Sequence, residues 1–288
     1  ILRGLSQDTD NWMQEGLWPF YNSLEKEDRV EGSVMNIIEA VKAGTTTICD
    51  YDAPMRDIVK NHIKIGTRAR VAEVINEMPK DTTGLQVGDL YPLDSSVGQK
   101  KLLENIKLIE EYHEKENGRI TCLLGPQGPD MSSKELLLEI KTLAKKYDTK
   151  IHMNVAQGDR EIDQMLKRYG QRSIPYLNEI EYLDSRLIAV HLTEATKEET
   201  HLLAKKGASM VLCSGSIGII DGIIPPISEF LKISDKAALG SDQAPGNNCN
   251  NMFNEMKFTA ILNKCKAKNP EVFPAWKVLR LATIDAAD

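Results

Sequence analysis

The feature that most constrains the fold is a regular alternation of short apolar segments with amphipathic helical patterns. Apolar, β-branched segments recur seven times, and each is followed by apolar residues at helical spacing. Strands that are apolar along their whole length are typical of parallel sheets buried on both faces. So many units in succession predict an α/β fold, a (β/α)8 TIM-like barrel, over an open doubly wound sheet. The predicted strands lie at residues 45–52, 68–75, within 119–131, 150–157, 187–194, 208–216 and 236–242.

The intervening segments predict helices that end at glycine or begin at serine and acidic caps. A polar, glycine-containing stretch at residues 76–96 predicts a long loop of the kind that often serves function. The predicted helices cover residues 30–42, 54–65, 100–116, 135–147, 160–169, 174–183, 197–206, 227–231, 250–265 and 275–282.

Composition excludes several classes of function. The 288 residues carry a formal net charge of −6, which gives no basic surface for nucleic acid. The apolar runs are far shorter than the ~20 residues of a membrane span. The five cysteines show no CxxC spacing, and three of them lie in apolar strand-like runs, which predicts buried, reduced thiols and a cytoplasmic location.

Polar residues that follow predicted strands are the candidates for chemistry, because active sites of barrels form where strands end. The stretch KIHMNVAQ, residues 150–157, places His152 and Asn154 on one face of a strand, with Gln157 just past its end. Gln127, His191 and Asp242 follow other predicted strands. His62, His113 and His201 fall on helical patterns and are expected to be surface or half-buried.

Two histidines and an aspartate at one barrel mouth are donors that zinc accepts, and a zinc-bound water can attack an electrophilic carbon near neutral pH. This spacing favours a metal site at His152, His191 and Asp242. The alternative is that each histidine, buried in its strand, only donates a hydrogen bond to a backbone carbonyl. From the residues alone, both interpretations stay open.

A set of motifs in the same order resembles the amidohydrolase superfamily, and within it the triazine hydrolase, guanine deaminase and methylthioadenosine/adenosylhomocysteine deaminase-like branch. The resemblance covers essentially the whole chain. The motifs are LRGLSQDTDNWMQEGLWPF, AVKAGTTTICDY, GPQGP, IHMNVAQ, LIAVHLTEA and LGSDQAPGNNCNNMFNEMK.

The resemblance implies one divalent metal ion in a (β/α)8 barrel, most often zinc and in some members iron. It also implies an HxH ligand pair on a first strand, which would precede Ile1, and a flanking β-sandwich outside these residues. His191 matches the strand-six histidine that polarises the attacked group. Asp242 matches the strand-eight aspartate, which is both metal contact and general base.

Three positions depart from the family pattern. Asn154 stands where the family has its third metal ligand, Gln157 where it has a proton-shuttling glutamate, and Gln127 where a histidine commonly binds substrate. An amide is a weaker zinc ligand than imidazole, and it exchanges no proton near neutral pH. We therefore expect Gln127, Asn154 and Gln157 to contact substrate, and His152 to supply the imidazole to the metal together with Asp242.

These observations predict one amidohydrolase-like domain over residues 1–288, a piece of a longer protein. Its expected activity is metal-dependent hydrolysis of a non-peptide C–N bond in an amino-substituted N-heterocycle. The alternative is a metal-impaired homologue that binds such a ligand without turnover. A small heterocyclic substrate and, from the resemblance, a homodimer are the expected partners, with no nucleic acid and no membrane.

Overall fold

The structure is a computed structural model that describes residues 2–9, 11–82 and 84–287. The chain divides into two compact units. The central unit is Thr46–Val190, and the terminal unit combines Ile1–Thr45 with His191–Asp288. Ile1 and Asp288, the limits of the predicted single domain, lie outside the described residues, and that domain stays a prediction.

The central unit is built on short parallel strands separated by helices. β1 pairs with β2, β2 pairs with β3 and β4, and β5 lies beside β6. An isolated parallel bridge joins Leu124 to Ile151, at the start of β5. The strands are β1 (Thr47–Asp52), β2 (Arg68–Ile75), β3 (Ile120–Cys122), β4 (Gly125–Pro126), β5 (Ile151–Val155) and β6 (Leu187–His191).

Two helices of the central unit begin at polar caps, one close to its predicted start at residue 135 and one five residues before its predicted start at residue 100. The Asp94 side chain accepts a hydrogen bond from the Ser96 backbone, and Ser133 accepts one from Leu136. Gly66 and Gly170 end two helices in the left-handed conformation. The helices are Met55–Ile65, Ser95–Tyr112, Lys115–Gly118, Lys134–Lys146, Gly158–Tyr169 and Ser173–Glu179, with a 3-10 turn at Pro129–Met131.

The terminal unit contains two paired parallel strands, β7 (Ser209–Leu212) and β8 (Ala237–Leu239). A π-helical segment, Trp12–Leu17, precedes its first α-helix. The α-helices are Trp18–Tyr21, Lys26–Lys42, Lys197–Lys205, Ser214–Ile220, Ile227–Phe230, Ala244–Asn247, Met252–Ala267, Ala275–Ala282 and Ile284–Ala287.

The parallel strands and intervening helices confirm the α/β class. Eight strands occur in the described ranges instead of seven, because residues 119–131 hold both β3 and β4. The strand predicted at residues 208–216 ends at Leu212, and Ser214 already begins a helix. The small residues of this segment fit both strand and helix, so conformational propensity could not place the end of the strand at Leu212. Closure of the strands into a complete (β/α)8 barrel stays a prediction.

Two expectations about burial are wrong. β1 is largely accessible, because it lies at one edge of the sheet formed with β2 and β3, and Cys49 on it is exposed. His62 is fully buried, since its Nδ1 and Nε2 atoms lie 2.9 Å from the Thr67 hydroxyl and the Asp50 carboxylate.

No helix within the described ranges combines the length and the apolar character that crossing a bilayer requires.

Candidate active site

His191, the last residue of β6, is a buried imidazole with a constrained backbone. Its φ of 77° lies in the left-handed region, which is uncommon for a residue other than glycine. Burial lowers the pKa of His191, and the nearby Asp242 carboxylate partly opposes this shift. Its Nδ1 atom has no hydrogen-bond partner among the described residues. The lowered pKa favours the neutral imidazole, and no described backbone carbonyl bonds its Nδ1.

Asp242 follows β8 and also has a positive φ, of 59°. One carboxylate oxygen accepts a hydrogen bond of 2.6 Å from the Ser216 hydroxyl, and the other accepts one of 2.6 Å from the Gln243 backbone. These two donors hold the carboxylate in one orientation. A carboxylate held in this way suits a group that accepts a proton during a reaction.

The helix Ser214–Ile220, which carries Ser216, is anchored by the buried carboxylate of Glu255. Glu255 accepts hydrogen bonds from the Gly215 backbone at 3.0 Å and from the Asn247 side chain at 2.7 Å. A Cβ atom on Gly215 would lie 2.5 Å from the Glu255 carboxylate, so only glycine fits there. Asn247 also donates to the Ser241 backbone, directly before Asp242. Glu255 and Asn247 thus connect the two segments that position Asp242.

In the central unit, the structure brings Gln127, Asn154 and His152 into neighbouring chain segments. The Asn154 backbone donates to the Gln127 carbonyl at 3.2 Å, and the His152 backbone donates to the Leu124 carbonyl at 2.9 Å. The His152 ring lies 4.9 Å from the Tyr51 ring, centroid to centroid. The alternation that predicts His152 and Asn154 on one face agrees with their shared half-buried state between buried neighbours.

Gln157 is positioned by a buried carboxylate that the sequence did not single out. Glu161 accepts hydrogen bonds from the Ala156 and Gln157 backbones at 2.7 and 2.9 Å, and a third from the Ser173 hydroxyl. Burial raises the pKa of Glu161, and the nearby Asp130 carboxylate raises it further. Glu161 therefore fixes the turn after β5 that carries Gln157.

Replacing Glu161 with alanine is expected to destabilise the protein by about 3 kcal/mol, because it leaves buried donors without an acceptor. Urea unfolding of both proteins measures the difference. Asp163→Ala on the same helix removes only the surface ion pair with Lys167 and should cost about 0.5 kcal/mol or less. Equal stability losses in the two variants would contradict the role assigned to Glu161.

Glu73 on β2 is a buried carboxyl that titrates near neutral pH. It accepts a hydrogen bond of 2.7 Å from the Met55 backbone, which favours the charged form. Burial outweighs this bond and raises the pKa of Glu73 from 4.5 to about 7. The unfolded chain therefore releases this proton at lower pH than the folded protein, and the stability contribution of Glu73 falls as pH rises across that window.

The variant Glu73→Gln should remove this pH dependence, because an amide does not titrate and still accepts from Met55. Relative to the parent protein, its free energy of unfolding should improve by about 2 kcal/mol between pH 5 and pH 8. Thermal or urea unfolding at both pH values measures this. The exposed control Glu139→Gln should show no such change, and a constant difference for Glu73→Gln would rule out the raised pKa.

The residues present do not complete a zinc site. A catalytic zinc takes three protein ligands. Within the described ranges, no group of three histidine, cysteine, aspartate or glutamate side chains is arranged to hold a metal ion. His152 and Asp242, the predicted ligands, belong to different units. Their assignment as ligands therefore stays a prediction.

Several residues of this chemistry were missed by sequence reasoning. Ser216 and Glu161 have no local signal that separates them from ordinary helix residues. Asn247 and Glu255 lie in the quoted motif LGSDQAPGNNCNNMFNEMK, but the motif alone does not show which side chains they contact. Asp52, the last residue of β1, accepts a hydrogen bond from the Ala53 backbone.

Comparisons with known proteins identify the family to which this chain is similar. A family profile described as the Amidohydrolase family matches residues 1–288. The 5-methylthioadenosine/S-adenosylhomocysteine deaminase of Thermoanaerobacter pseudethanolicus is 29% identical over 100% of this chain and 64% of its own length. The 5'-deoxyadenosine deaminase of Methanosphaera stadtmanae is 31% identical over 100% of this chain and 65% of its own.

Solved structures show the same fold. An adenosine deaminase from Xanthomonas campestris with bound zinc superposes with a TM-score of 0.87 at 26% identity, over 99% of this chain and 63% of that one. An atrazine chlorohydrolase from Arthrobacter aurescens complexed with zinc gives 0.86 at 19% identity, over 99% and 66%, and supports the fold alone. The chain spans less than two thirds of the length of the two deaminases above and of the adenosine deaminase.

Proposed function

We propose that this chain, which belongs to the Amidohydrolase family, is a hydrolytic deaminase of an amino-substituted purine nucleoside. In this reaction the oxygen of water forms a bond to the ring carbon that carries the amino group. The carbon–nitrogen bond breaks, and the nitrogen leaves as ammonia after gaining a proton. The curated relatives named above carry deaminase activities on adenine nucleosides, which supports this substrate class.

The observation that carries the proposal is the pair formed by His191 and Asp242 in the terminal unit. Asp242, held by Ser216, is a carboxylate able to accept the proton of the attacking water. His191 is a neutral imidazole with an unbonded Nδ1, able to stabilise the charge that develops on the attacked group. The proposed roles of Gln127, Asn154 and Gln157 are hydrogen bonds to the heterocycle.

A divalent metal ion, zinc or alternatively iron, is part of the proposal, supported by the zinc bound in the related adenosine deaminase. The described residues offer no complete ligand set for this ion. The same observation favours a second candidate, a homologue that binds the heterocycle without turnover. A homodimer remains a further proposal.

The test is an assay of the purified protein against adenosine, 5'-deoxyadenosine, methylthioadenosine, S-adenosylhomocysteine and atrazine, with and without added Zn²⁺ or Fe²⁺. Release of one ammonia per purine consumed is the expected result, and the metal content of the active protein is measured in parallel. Binding of a purine by calorimetry without ammonia release under any metal condition would favour the second candidate. If the protein neither binds a purine nor releases ammonia, both candidate functions are excluded.

A further inference from the structure

Three side chains of the central unit form a hydrogen-bonded relay that ends at Gln127. The Lys101 ammonium, on the helix Ser95–Tyr112, donates to the Asn76 side-chain oxygen at 2.6 Å. The Asn76 side-chain nitrogen then donates to the Gln127 side-chain oxygen. Asn76 is 8% exposed, so water contributes little to its bonding. The relay connects a charged helix residue to a residue predicted to contact substrate.

The orientation of the Asn76 amide follows from the chemistry of its partners. An ammonium has donors and no acceptor, so the Asn76 atom facing Lys101 must be oxygen. The Met78 backbone N–H can likewise only donate, and it donates to the same oxygen at 3.1 Å. Two independent donors thus fix one end of the amide, and its nitrogen must face Gln127.

The orientation of Gln127 follows in the same way. The group facing the Asn76 nitrogen must accept, so it is the Gln127 oxygen, and the Gln127 amide nitrogen lies at the other end. The Gln127 backbone is already used, because its N–H donates to the Ile75 carbonyl at 2.8 Å and its carbonyl accepts from Asn154. The side-chain NH₂ group is therefore what Gln127 has left to offer a ligand.

We propose that Asn76 and Lys101 are positioning residues that hold Gln127 as a hydrogen-bond donor toward the substrate. The ligand must then present an acceptor at this point, such as a ring nitrogen or a hydroxyl oxygen of a nucleoside. Without Asn76 and Lys101, the Gln127 amide could rotate and form a hydrogen bond with a ligand donor or a ligand acceptor equally well. The identity of the ligand rests on the proposed function, whereas the orientation of Gln127 does not.

The orientation is tested by NMR on protein labelled with ¹⁵N-glutamine, independently of activity. The Gln127 side-chain signals are assigned by their loss in Gln127→Glu. In Asn76→Asp, a carboxylate replaces the donor that faces Gln127, so the Gln127 amide must turn and donate to it. We expect proton exchange of that amide to slow by at least tenfold. An unchanged exchange rate in Asn76→Asp would overturn the relay, as would protection already present in the parent protein.

The acceptor on the ligand is tested by calorimetry with 5'-deoxyadenosine and analogues that each lack one acceptor, namely its 1-deaza, 3-deaza and 7-deaza forms and its 2'- and 3'-deoxy forms. Gln127→Glu should weaken binding of 5'-deoxyadenosine about tenfold, because the variant loses one hydrogen bond to this compound. The same variant should leave binding of one analogue unchanged, namely the analogue that already lacks the acceptor bonded by Gln127. That analogue therefore identifies the acceptor on the ligand. Tenfold loss for every analogue would overturn the donor role of Gln127.

Lys101→Met supplies a matched pair with Lys100→Met, an exposed lysine beside it on the same helix. The first should weaken binding of 5'-deoxyadenosine and the second should not; equal effects would remove Lys101 from the relay. Failure of the proposed function gives a different pattern, in which the parent protein binds no purine nucleoside while the exchange experiment still reports the orientation of Gln127.

Discussion

Replacing Asp242 with asparagine is expected to lower kcat by about 10²–10⁴-fold, while the protein stays folded. General base catalysis contributes about 10²–10⁴-fold to rates. Asparagine keeps an oxygen for the Ser216 hydroxyl or the Gln243 backbone but cannot accept a proton near neutral pH. It also tolerates the positive φ of this position better than most residues. Steady-state kinetics of ammonia release measure the effect.

Two companion variants separate chemistry from structure. Asp235→Asn changes a carboxyl that is 86% exposed and should leave kcat unchanged. Ser216→Ala removes the hydroxyl that orients Asp242 and should lower kcat by a smaller factor, about tenfold, without abolishing it. Retention of more than a tenth of the parent kcat by Asp242→Asn would remove Asp242 from the proposed mechanism.

Replacing His191 with asparagine is expected to lower kcat by about 10²–10³-fold, the range found when one group that stabilises developing charge is removed. Asparagine again suits the positive φ of 77°. Because burial lowers the pKa of His191, the imidazole of the folded protein stays neutral to lower pH than an exposed histidine does. The acid limb of the kcat/KM profile assigned to His191 should therefore lie below pH 6.5.

The control for His191 is His201→Asn, at a half-buried histidine 3.1 Å from Glu229. This change should leave both kcat and the pH profile unaltered. An acid limb that persists unshifted in His191→Asn would show that another group controls it. Unfolding measurements on both variants at pH 7 confirm that loss of activity is not loss of the folded state.

The predictions from the sequence were strongest where a local pattern has one structural meaning. Continuous apolar strands followed by helices gave the α/β class, and capping residues such as Ser133 placed helix starts within a few residues. Boundaries failed at residues 208–216, where small residues permit both strand and helix. Burial failed at β1 and His62, because the position of a strand within its sheet and the partner of a helix histidine are not local properties.

The same difference between local patterns and non-local contacts applies to the candidate site. Residue types at strand ends identified His191, Asp242, Asn154, Gln157 and Gln127 as candidates, and the motifs indicated the Amidohydrolase family that the profile match establishes. The residues that orient these side chains were not predicted. Glu161 lies only four positions from Gln157, but nothing in its local pattern distinguishes a buried acceptor from a solvated glutamate.

The sequence by itself determined the class of fold, the family and the positions where chemistry was expected, because periodicity and motif are properties of neighbours along the chain. The tertiary structure alone decided the direction of the Gln127 amide. That direction depends on Asn76, which is 51 positions from Gln127, and on Lys101, which is 25 positions from Asn76. Donor and acceptor geometry of this kind exists only once folding has brought distant groups within hydrogen-bond distance.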